Sequence, residues 1–171
     1  MAILLGKAVV EEKPAKLSAL LERGYGEKRP EGLVLDLFEA VHLLRAKKIS
    51  ISASGKGAKR VAERKLLALG AKSEKNFLEK LRVYQDLRAR GRIAKTGFKF
   101  GFDFRVYPQG KKPGEGHSEF VVAVAGQGKS FSASEIARMT RMAAGLKAKL
   151  ILAVVDSEHE VSYYEASRAN F

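Results

Sequence analysis

The residues of this chain with the clearest chemical potential are Tyr107, His117 and Lys149. A phenol and an imidazole can accept and donate protons, and an ammonium group can stabilise a negative charge that develops during a reaction. The sequence around each of them gives little reason to place it in a hydrophobic core. If the three side chains converge on one phosphodiester, they could cleave RNA without a metal ion.

Tyr107 ends a segment with a strict two-residue period. In FKFGFDFRVY, residues 98–107, apolar side chains alternate with polar residues or glycine. Successive side chains of a strand point to opposite faces, so this pattern predicts a half-buried strand whose phenylalanines face a core. We expect Tyr107 on the other, polar face with Asp103 and Arg105. An ordinary strand tyrosine with its hydroxyl in water is the alternative interpretation.

His117 and Lys149 each lie next to a predicted buried strand. His117 ends the loop PQGKKPGEGH, residues 108–117, and the apolar run FVVAVA follows at 120–125. Loop residues held by a rigid scaffold often carry function, although a histidine can also simply suit a turn. Lys149 directly precedes the apolar run LILAVVD. Lys147 remains an alternative for the same role, because strand boundaries inferred from sequence err by a few residues.

The charge balance points to a polyanionic partner. The chain has 32 Lys and Arg against 19 Asp and Glu, which gives a formal net charge of +13. Phosphate is the natural counter-charge, and an RNA complex held in this way would weaken steeply with added salt. Solubility or habitat could explain the same charge, so it does not separate an enzyme from a binding protein.

Other features exclude several classes of protein. The sequence has no cysteine, which removes disulfides, thiol nucleophiles and thiolate metal sites. The start MAILLGKAVVEE is too short and too soon charged for a signal peptide. No stretch approaches the roughly 20 apolar residues that a membrane span needs. We therefore expect a cytoplasmic protein with no membrane partner.

The hydrophobic pattern predicts an α+β protein with two domains in 171 residues. An amino-terminal α+β domain, residues 1–81, begins with a strand and continues with helices. A carboxy-terminal domain, residues 82–171, combines a mixed sheet with a packed helix. The predicted helices lie at about 59–69, 75–90 and 133–146, and the late strands at about 98–107, 118–125, 150–155 and 160–165.

The predicted helix 133–146 has a visible start and a basic side. Ser132 and Glu135 have the three-residue offset of a capping box. Arg138 and Arg141 lie three positions apart, so they share one side of the helix. Two guanidinium planes there could stack on an unpaired RNA base. A solvated basic surface is an equally good interpretation.

Longer motifs identify a family. The segments YQDLRARGRIAKTGFKFGFDFRVYPQG, GHSEFVV and KLILAVVDSEHEVSYYEA resemble the catalytic domain of the archaeal tRNA-splicing endonucleases. In the amino-terminal half, RGYG followed by GLVLDLFEAVHLL is similar to the smaller domain of that family. The resemblance covers most of the chain and is stronger after about residue 82. His42, where relatives often have an aromatic residue, is a departure at a position of helix packing.

The resemblance implies a catalytic subunit that uses neither a cofactor nor a metal. Tyr107 would act as general base on the ribose 2'-hydroxyl, His117 as general acid toward the 5'-oxygen, and Lys149 would stabilise the charged phosphorane. The products would be a 2',3'-cyclic phosphate and a 5'-hydroxyl. A phenol titrates near ~10, so it needs a neighbouring positive charge to act as a base. The candidates for that charge are Arg105, Lys111, Lys112 and Lys149.

The resemblance also implies partners. The substrate would be a bulge-helix-bulge in precursor tRNA, cut at two sites a fixed distance apart by a symmetric assembly. The acidic cluster DSEHE, residues 156–160, would reach a basic cleft of a neighbouring subunit through Asp156, Glu158 and Glu160. A solvated turn is the alternative. Either four copies associate in a homotetramer, or two copies pair with two copies of a structural second subunit.

Two other functions stay open. A non-catalytic RNA-binding or structural subunit of the same assembly should lack one or more of the three reactive residues, and this sequence has all three. A metal-dependent nuclease could use Asp103 and Glu119 as magnesium ligands. Two acidic residues at loose spacing are frequent by chance, so the metal-free reaction is the better hypothesis.

Overall fold

The computed structural model describes residues 1–55, 57–108, 110–111, 113–126 and 128–169. The chain divides into two compact units, Met1–Leu78 and Glu79–Phe171. Each unit combines helices with a five-stranded sheet that contains parallel and antiparallel pairs, so the predicted α+β class is confirmed. The boundary between the units and the one expected after residue 81 both lie inside the helix Phe77–Ala89.

The amino-terminal unit builds its sheet from two hairpins and a short parallel strand. Its strands are β1 (Ala2–Leu5), β2 (Ala8–Glu11), β3 (Glu27–Arg29), β4 (Gly32–Leu35) and β5 (Ile51–Ser52), and its helices are α1 (Pro14–Glu22), α2 (Leu37–Arg45) and α3 (Glu63–Ser73). The strand order is β3-β4-β2-β1-β5. The parallel pair is β1 with β5, and the other neighbours are antiparallel.

Helix α2 is fixed at its start by a capping box. The Asp36 side chain accepts a hydrogen bond from the backbone N–H of Glu39, and the Glu39 carboxylate accepts one from Asp36 N–H. The same carboxylate accepts a bond from Gly26 N–H at 2.9 Å, which ties the helix to the chain before β3. His42 stacks on Tyr25 with ring centres 5.9 Å apart, so it packs the helix as expected.

The carboxy-terminal unit places its sheet between two helices. After α4 (Phe77–Ala89), the elements are β6 (Ile93–Thr96), a short 3-10 helix (Phe98–Phe100), β7 (Phe104–Tyr107), β8 (Phe120–Gly126), α5 (Ala133–Gly145), β9 (Lys149–Val155) and β10 (Val161–Ala166). The strand order is β10-β9-β8-β7-β6. Strands β8 and β9 are parallel and are joined through α5.

Helix α5 covers one face of this sheet. Its buried residues Met139 and Ala143 pack with Val121, Ala123 and Leu150 of the two central strands. The predicted capping box at its start is present, since Ser132 and Glu135 exchange hydrogen bonds. Non-directional burial of apolar surface stabilises this layer by about 25 cal/mol for each Å² removed from water.

The strand expected at 98–107 is wrong in its first half. Strand β7 begins at Phe104, and Phe98 is 47% exposed in the 3-10 helix. Gly101 ends that helix with φ +75°, a conformation that interrupts a strand and that glycine adopts without strain. A Cβ at Gly101 would lie 2.7 Å from Cε of Met142 on α5. The glycine therefore allows a tight turn under the helix, which the two-residue period does not reveal.

No helix in the described part of the chain is long and apolar enough to cross a membrane.

Candidate active site

The sheet of the carboxy-terminal unit brings the three predicted catalytic positions to one of its ends. Tyr107 is the last residue of β7, and β8 runs antiparallel to β7 from Phe120. His117 lies in the loop shortly before β8 and is exposed. Lys149 is the first residue of β9 and stands next to Phe120 in the parallel register. The loop between Tyr107 and His117 is described except for Gln109 and Lys112.

Backbone hydrogen bonds hold this end of the sheet together. The Glu119 N–H donates to the carbonyl of Val106 at 2.8 Å, and the Lys149 N–H donates to the carbonyl of Glu119 at 3.0 Å. The segment that follows His117 therefore connects β7 to β9. This connection fixes the ends of β7 and β9, which carry Tyr107 and Lys149, beside the loop that carries His117.

Tyr107 and Lys149 project from opposite faces of the sheet. Arg105 pairs with Val121, and Val121 pairs with Leu150, so these residues share the face that packs against α5. Tyr107 lies two residues after Arg105 and is on that same face, whereas Lys149 lies one residue before Leu150 and is on the other. The structure thus brings the two residues to one end of the sheet but not to one side of it.

The ammonium group of Lys149 has an acidic neighbour on its own face. Lys149 Nζ lies 3.2 Å from Glu165 Oε2 of the adjacent strand β10. The two side chains are 62% and 45% exposed, so this ion pair contributes little stability. Lys147 is exposed in the connection between α5 and β9 and has a positive φ of 54°. Strand alternation therefore does not decide where the Lys147 side chain points.

Tyr107 does not lie on a solvated polar face. Only 2% of the residue is exposed. The expectation fails because both faces of β7 are covered: Tyr107 and Arg105 lie on the α5 face, while Phe104 packs against Tyr84 of α4 with ring centres 5.9 Å apart. An alternating pattern predicts two different faces, and here neither of them is open to water.

Burial and charge act in opposite directions on the Tyr107 phenol. Burial raises the pKa of Tyr107 because it penalises the phenolate, and the Arg105 guanidinium lowers it. Burial dominates, and the pKa of Tyr107 is raised above its ordinary value. The phenol of this chain is therefore protonated at neutral pH, and its use as a base demands further help.

Arg105 lies between two aromatic rings. Its Cζ atom is 4.4 Å from the ring centre of Phe100 and 5.6 Å from that of Tyr107. Its Nε atom is buried and has no hydrogen-bond partner within the described ranges. Of the other cations named for this role, Lys111 is exposed in the loop and Lys112 lies outside the described residues.

The predicted base-stacking arginines lie on the outer side of α5. Arg138 and Arg141 are both exposed. Arg138 Nη1 is 3.2 Å from Met142 Sδ, a weak contact one turn along the helix. An exposed guanidinium pair of this kind suits a stacked base as well as water, so the RNA-binding role of these residues stays a prediction.

The acidic hairpin tip has an internal role for one of its three acids. Asp156 Oδ1 accepts hydrogen bonds from the backbone N–H groups of Glu158 and Glu160, both at 2.9 Å, and so closes the turn between β9 and β10. Glu158 and Glu160 are exposed. Arg82 of α4 donates from Nε to the carbonyl of His159 at 2.7 Å, which ties the tip to that helix. The two glutamates are thus presented on a braced turn.

A second cluster between α4 and β10 was not predicted from the sequence. Asp86 Oδ2 accepts a hydrogen bond from the Tyr163 hydroxyl at 2.7 Å and forms an ion pair with Arg90 Nε at 2.6 Å. Burial raises the pKa of Asp86, but the hydrogen bonds from Arg90 and Tyr163 outweigh it and lower that pKa overall. The four-residue spacing of Asp86 and Arg90 is a sequence signal for an ion pair on a helix, whereas the sequence does not indicate that Tyr163 joins this pair.

The carboxylates considered as magnesium ligands have other partners. Asp103 Oδ1 lies 2.8 Å from Lys80 Nζ, and its Oδ2 accepts a hydrogen bond from the backbone N–H of Val124 at 2.7 Å. Glu119 forms an ion pair with Arg92 at 2.8 Å. Over the residues that the structure describes, no group of three or more His, Cys, Asp or Glu side chains could hold a metal ion.

Comparison with known proteins gives the same family for both halves of the chain. Residues 77–163 match the model of the tRNA intron endonuclease catalytic C-terminal domain, and residues 1–66 match that of the N-terminal domain. The chain is 34% identical to the tRNA-splicing endonuclease of Pyrococcus furiosus, over 98% of this chain and 95% of the relative. It is 35% identical to the tRNA-splicing endonuclease of Thermococcus onnurineus, over 98% of this chain and 95% of the relative. It is 34% identical to that of Methanothermobacter thermautotrophicus, over 94% of this chain and 92% of the relative. The predicted family is confirmed, and the chain belongs to the tRNA intron endonucleases, a family of enzymes.

Proposed function

We propose that this chain is a tRNA-splicing endonuclease that excises introns from precursor tRNA. It cleaves a bulge-helix-bulge at two sites, without a metal ion, and leaves 2',3'-cyclic phosphate and 5'-hydroxyl ends. The names of the relatives support the substrate. The observation that carries the proposal for this chain is the placement of Tyr107, His117 and Lys149 at the same end of one sheet.

Two of the proposed roles follow from proton chemistry. Tyr107 removes the proton of the ribose 2'-hydroxyl, and that oxygen attacks the adjacent phosphorus. His117 gives a proton to the departing 5'-oxygen, a task that suits an imidazole at neutral pH. The exposed loop position of His117 supports this role, because the imidazole can meet a large RNA substrate. The nucleophile belongs to the substrate, so the protein supplies proton transfer and charge stabilisation.

The third role belongs to a lysine at the start of β9, and we assign it to Lys149. Its ammonium stabilises the charged phosphorane. Because Lys149 starts on the face opposite Tyr107, its side chain has to reach the phosphate around the end of the sheet, and it must leave Glu165 to do so. Comparing Lys149→Ala with Lys147→Ala tests the assignment. A loss of cleavage rate confined to Lys147→Ala would transfer the role to Lys147.

Recognition and assembly complete the proposal. The net charge of +13 attracts the RNA backbone, and Arg138 and Arg141 stack on an unpaired base of the bulge. Glu158 and Glu160, together with Asp156, dock in a basic cleft of a neighbouring subunit. The bracing of the hairpin tip supports this use, because a fixed turn loses little entropy on docking. An assembly of four copies, or of two copies with two structural subunits, then sets the distance between the two active sites and so between the two cuts.

The decisive experiment is cleavage of a bulge-helix-bulge transcript by the purified chain, with and without EDTA. We expect cleavage that resists EDTA and is lost in His117→Ala, while RNA binding stays nearly intact. A general acid contributes roughly 10²–10⁴-fold to rate, so the loss should fall in that range. His42→Phe is the matched control, because it removes a histidine but keeps a ring stacked on Tyr25. Full cleavage by His117→Ala would refute the acid role.

One observation favours a second candidate, a non-catalytic structural subunit of the same assembly. Lys149 and Tyr107 project from opposite faces of the sheet, which is an unfavourable arrangement for a shared phosphate. Incubating the transcript with this chain alone, and then with a candidate second subunit, separates the two functions. Cleavage by this chain alone excludes the structural role. Cleavage that requires the partner and survives His117→Ala in this chain would establish it.

A further inference from the structure

We propose that Arg105 is a positioning residue that offsets part of the effect of burial on Tyr107 and so favours its use as a base, by holding a guanidinium charge beside the phenol on the α5 face of the sheet. This inference rests on the proposed role of Tyr107. Arg105 lies two residues before Tyr107 on the same strand and face, and its Cζ atom is 5.6 Å from the tyrosine ring centre. The lysine at the start of β9, Lys149, is on the other face.

The turn before β7 fixes the position of this charge. The 3-10 helix Phe98–Phe100 and the left-handed Gly101 bring the Phe100 ring to 4.4 Å from Arg105 Cζ. A guanidinium stacks readily on an aromatic face, and Arg is the residue type suited to this contact. Phe100 therefore holds the guanidinium from one side, and Tyr107 lies on another. Had residues 98–107 formed the expected strand, Phe100 would face away from Arg105.

Arg105 also keeps hydrogen-bonding capacity for the reaction. Its Nε atom is buried without a hydrogen-bond partner within the described ranges. An unpaired buried donor destabilises a protein, and a negative charge that forms on the Tyr107 phenol would offset part of that effect. The oxygen of the neighbouring Tyr107 phenolate is a suitable acceptor, and charge-assisted hydrogen bonds are the strong ones.

Other charged groups around Tyr107 do not replace Arg105. They are Lys95 on β6, the Arg92–Glu119 ion pair between β6 and β8, and Lys111 and His117 in the loop. Lys95 pairs with Arg105 in the register of β6 and β7, whereas Ile93 is the residue opposite Tyr107. Arg92 and Glu119 offset each other, and Lys111 and His117 are exposed. Within the described residues, Arg105 is the charge that lowers the pKa of Tyr107 against the effect of burial.

The test is a titration of Tyr107 in the absence of RNA. The chain has five tyrosines, so 13C-tyrosine labelling gives a simple spectrum, and Tyr107→Phe identifies the Tyr107 signal by its loss. We expect the Tyr107 signal to titrate at higher pH in both Arg105→Met and Arg105→Gln, and close to the parent in Arg105→Lys. Arg64→Met, which replaces an exposed arginine of α3, removes the same charge elsewhere and should leave the titration unchanged.

The cleavage rate supplies a second readout. The pH at which the rate reaches half its maximum should rise in Arg105→Gln by the same amount as the Tyr107 titration. An unchanged Tyr107 titration in a neutral Arg105 variant with a native circular dichroism spectrum would overturn the inference. Full cleavage by Tyr107→Phe is a separate outcome: it would refute the base role of Tyr107 while the effect of Arg105 on the phenol remained measurable.

Discussion

The ion pair of Lys80 and Asp103 gives a quantitative test of the carboxy-terminal fold. Lys80 lies on α4, and Asp103 lies between Gly101 and β7, so the pair fastens the turn that carries Phe100 to the helix. The two side chains are only 11% and 18% exposed. Asp103 also accepts the Val124 N–H bond from the neighbouring strand at 2.7 Å. The substitution Asp103→Asn keeps the shape and an acceptor oxygen but removes the charge beside Lys80 Nζ.

Removing one partner of a buried ion pair costs roughly 3–5 kcal/mol. Because both side chains retain some exposure, we expect the lower limit, about 3 kcal/mol. For a chain of this length each kcal/mol lowers Tm by about 2–4 °C, so Asp103→Asn should lower it by about 6–12 °C. The assay is thermal and denaturant unfolding followed by circular dichroism, with a double-mutant cycle that combines Asp103→Asn with Lys80→Met.

The cycle decides whether the pair is the cause. We expect a coupling of at least about 1 kcal/mol, because residues in direct contact are not additive. Glu27→Gln is the control, since the Glu27–Arg29 pair has side chains that are 72% and 52% exposed. That change should stay within about 0.5 kcal/mol. Additive effects of Asp103→Asn and Lys80→Met, or an effect of Asp103→Asn no larger than that of Glu27→Gln, would refute the reasoning.

Three further predictions concern turns, pH and capping. Gly101→Ala should lower stability by about 1–3 kcal/mol, because a residue with a Cβ is strained at φ +75°; the Met142 Cε atom, 2.7 Å from that Cβ, ends a flexible side chain and can move aside. Gly110→Ala, with φ +80° and no atom of the described residues within 4 Å, should therefore cost a similar amount, and a much larger fall in Tm for Gly101→Ala would contradict this reasoning. Because the pKa of Asp86 is lowered in the folded state, the ionised carboxylate stabilises the fold at pH values above the unfolded pKa of ~3.9, and this contribution is lost as pH falls through the folded pKa. The unfolding free energies of the parent and Asp86→Asn should therefore converge below about pH 4, and a difference that stays constant from pH 7 to pH 3 would refute the linkage. Ser132→Ala should destabilise α5 by about 1 kcal/mol in urea unfolding, whereas Ser134→Ala, which replaces an exposed serine inside the helix, should have little effect. Similar losses of stability in the two variants would show that the capping box does not stabilise the helix.

The sequence predicted the elements whose signals are local. The helix expected at 133–146 is found at Ala133–Gly145, and the one expected at 75–90 is found at Phe77–Ala89. The capping box of Ser132 and Glu135 located the start of α5 to the residue. Such features depend on neighbours within a turn of helix, so they can be recognised without knowledge of the fold.

The errors arose where contacts distant in sequence decide the structure. The hairpin of β3 and β4 was missed because β3 is a three-residue exposed strand, EKR, with no apolar period. The alternation over 98–107 predicted one long strand, but packing of Gly101 under Met142 favours a turn. Burial of Tyr107 could not be predicted for the same reason, since the residues that cover it come from other elements.

The candidate site also has features that the sequence predicts and features that depend on distant contacts. The types and approximate positions of Tyr107, His117 and Lys149 could be read from the sequence, whereas their place at one end of the sheet depends on the antiparallel pairing of β7 with β8 and the parallel pairing of β8 with β9. The side of the sheet on which each residue lies depends on the strand register, and the register could not be predicted from the sequence. A difference of one position separates Lys149 from the face that carries Tyr107.

The short connection between α5 and β9 has a wider consequence. It consists of Leu146, Lys147 and Ala148. From Leu150 onward β9 is apolar on both faces, so a pairing shifted by one residue would still offer hydrophobic side chains to each of the two helix layers. Such a shift, caused by the insertion or deletion of a single residue in the connection, would bring a lysine to the face of Tyr107 in place of Ala148. Evolution can therefore relocate a charge at the end of this sheet by changing the length of a loop, without replacing any reactive residue.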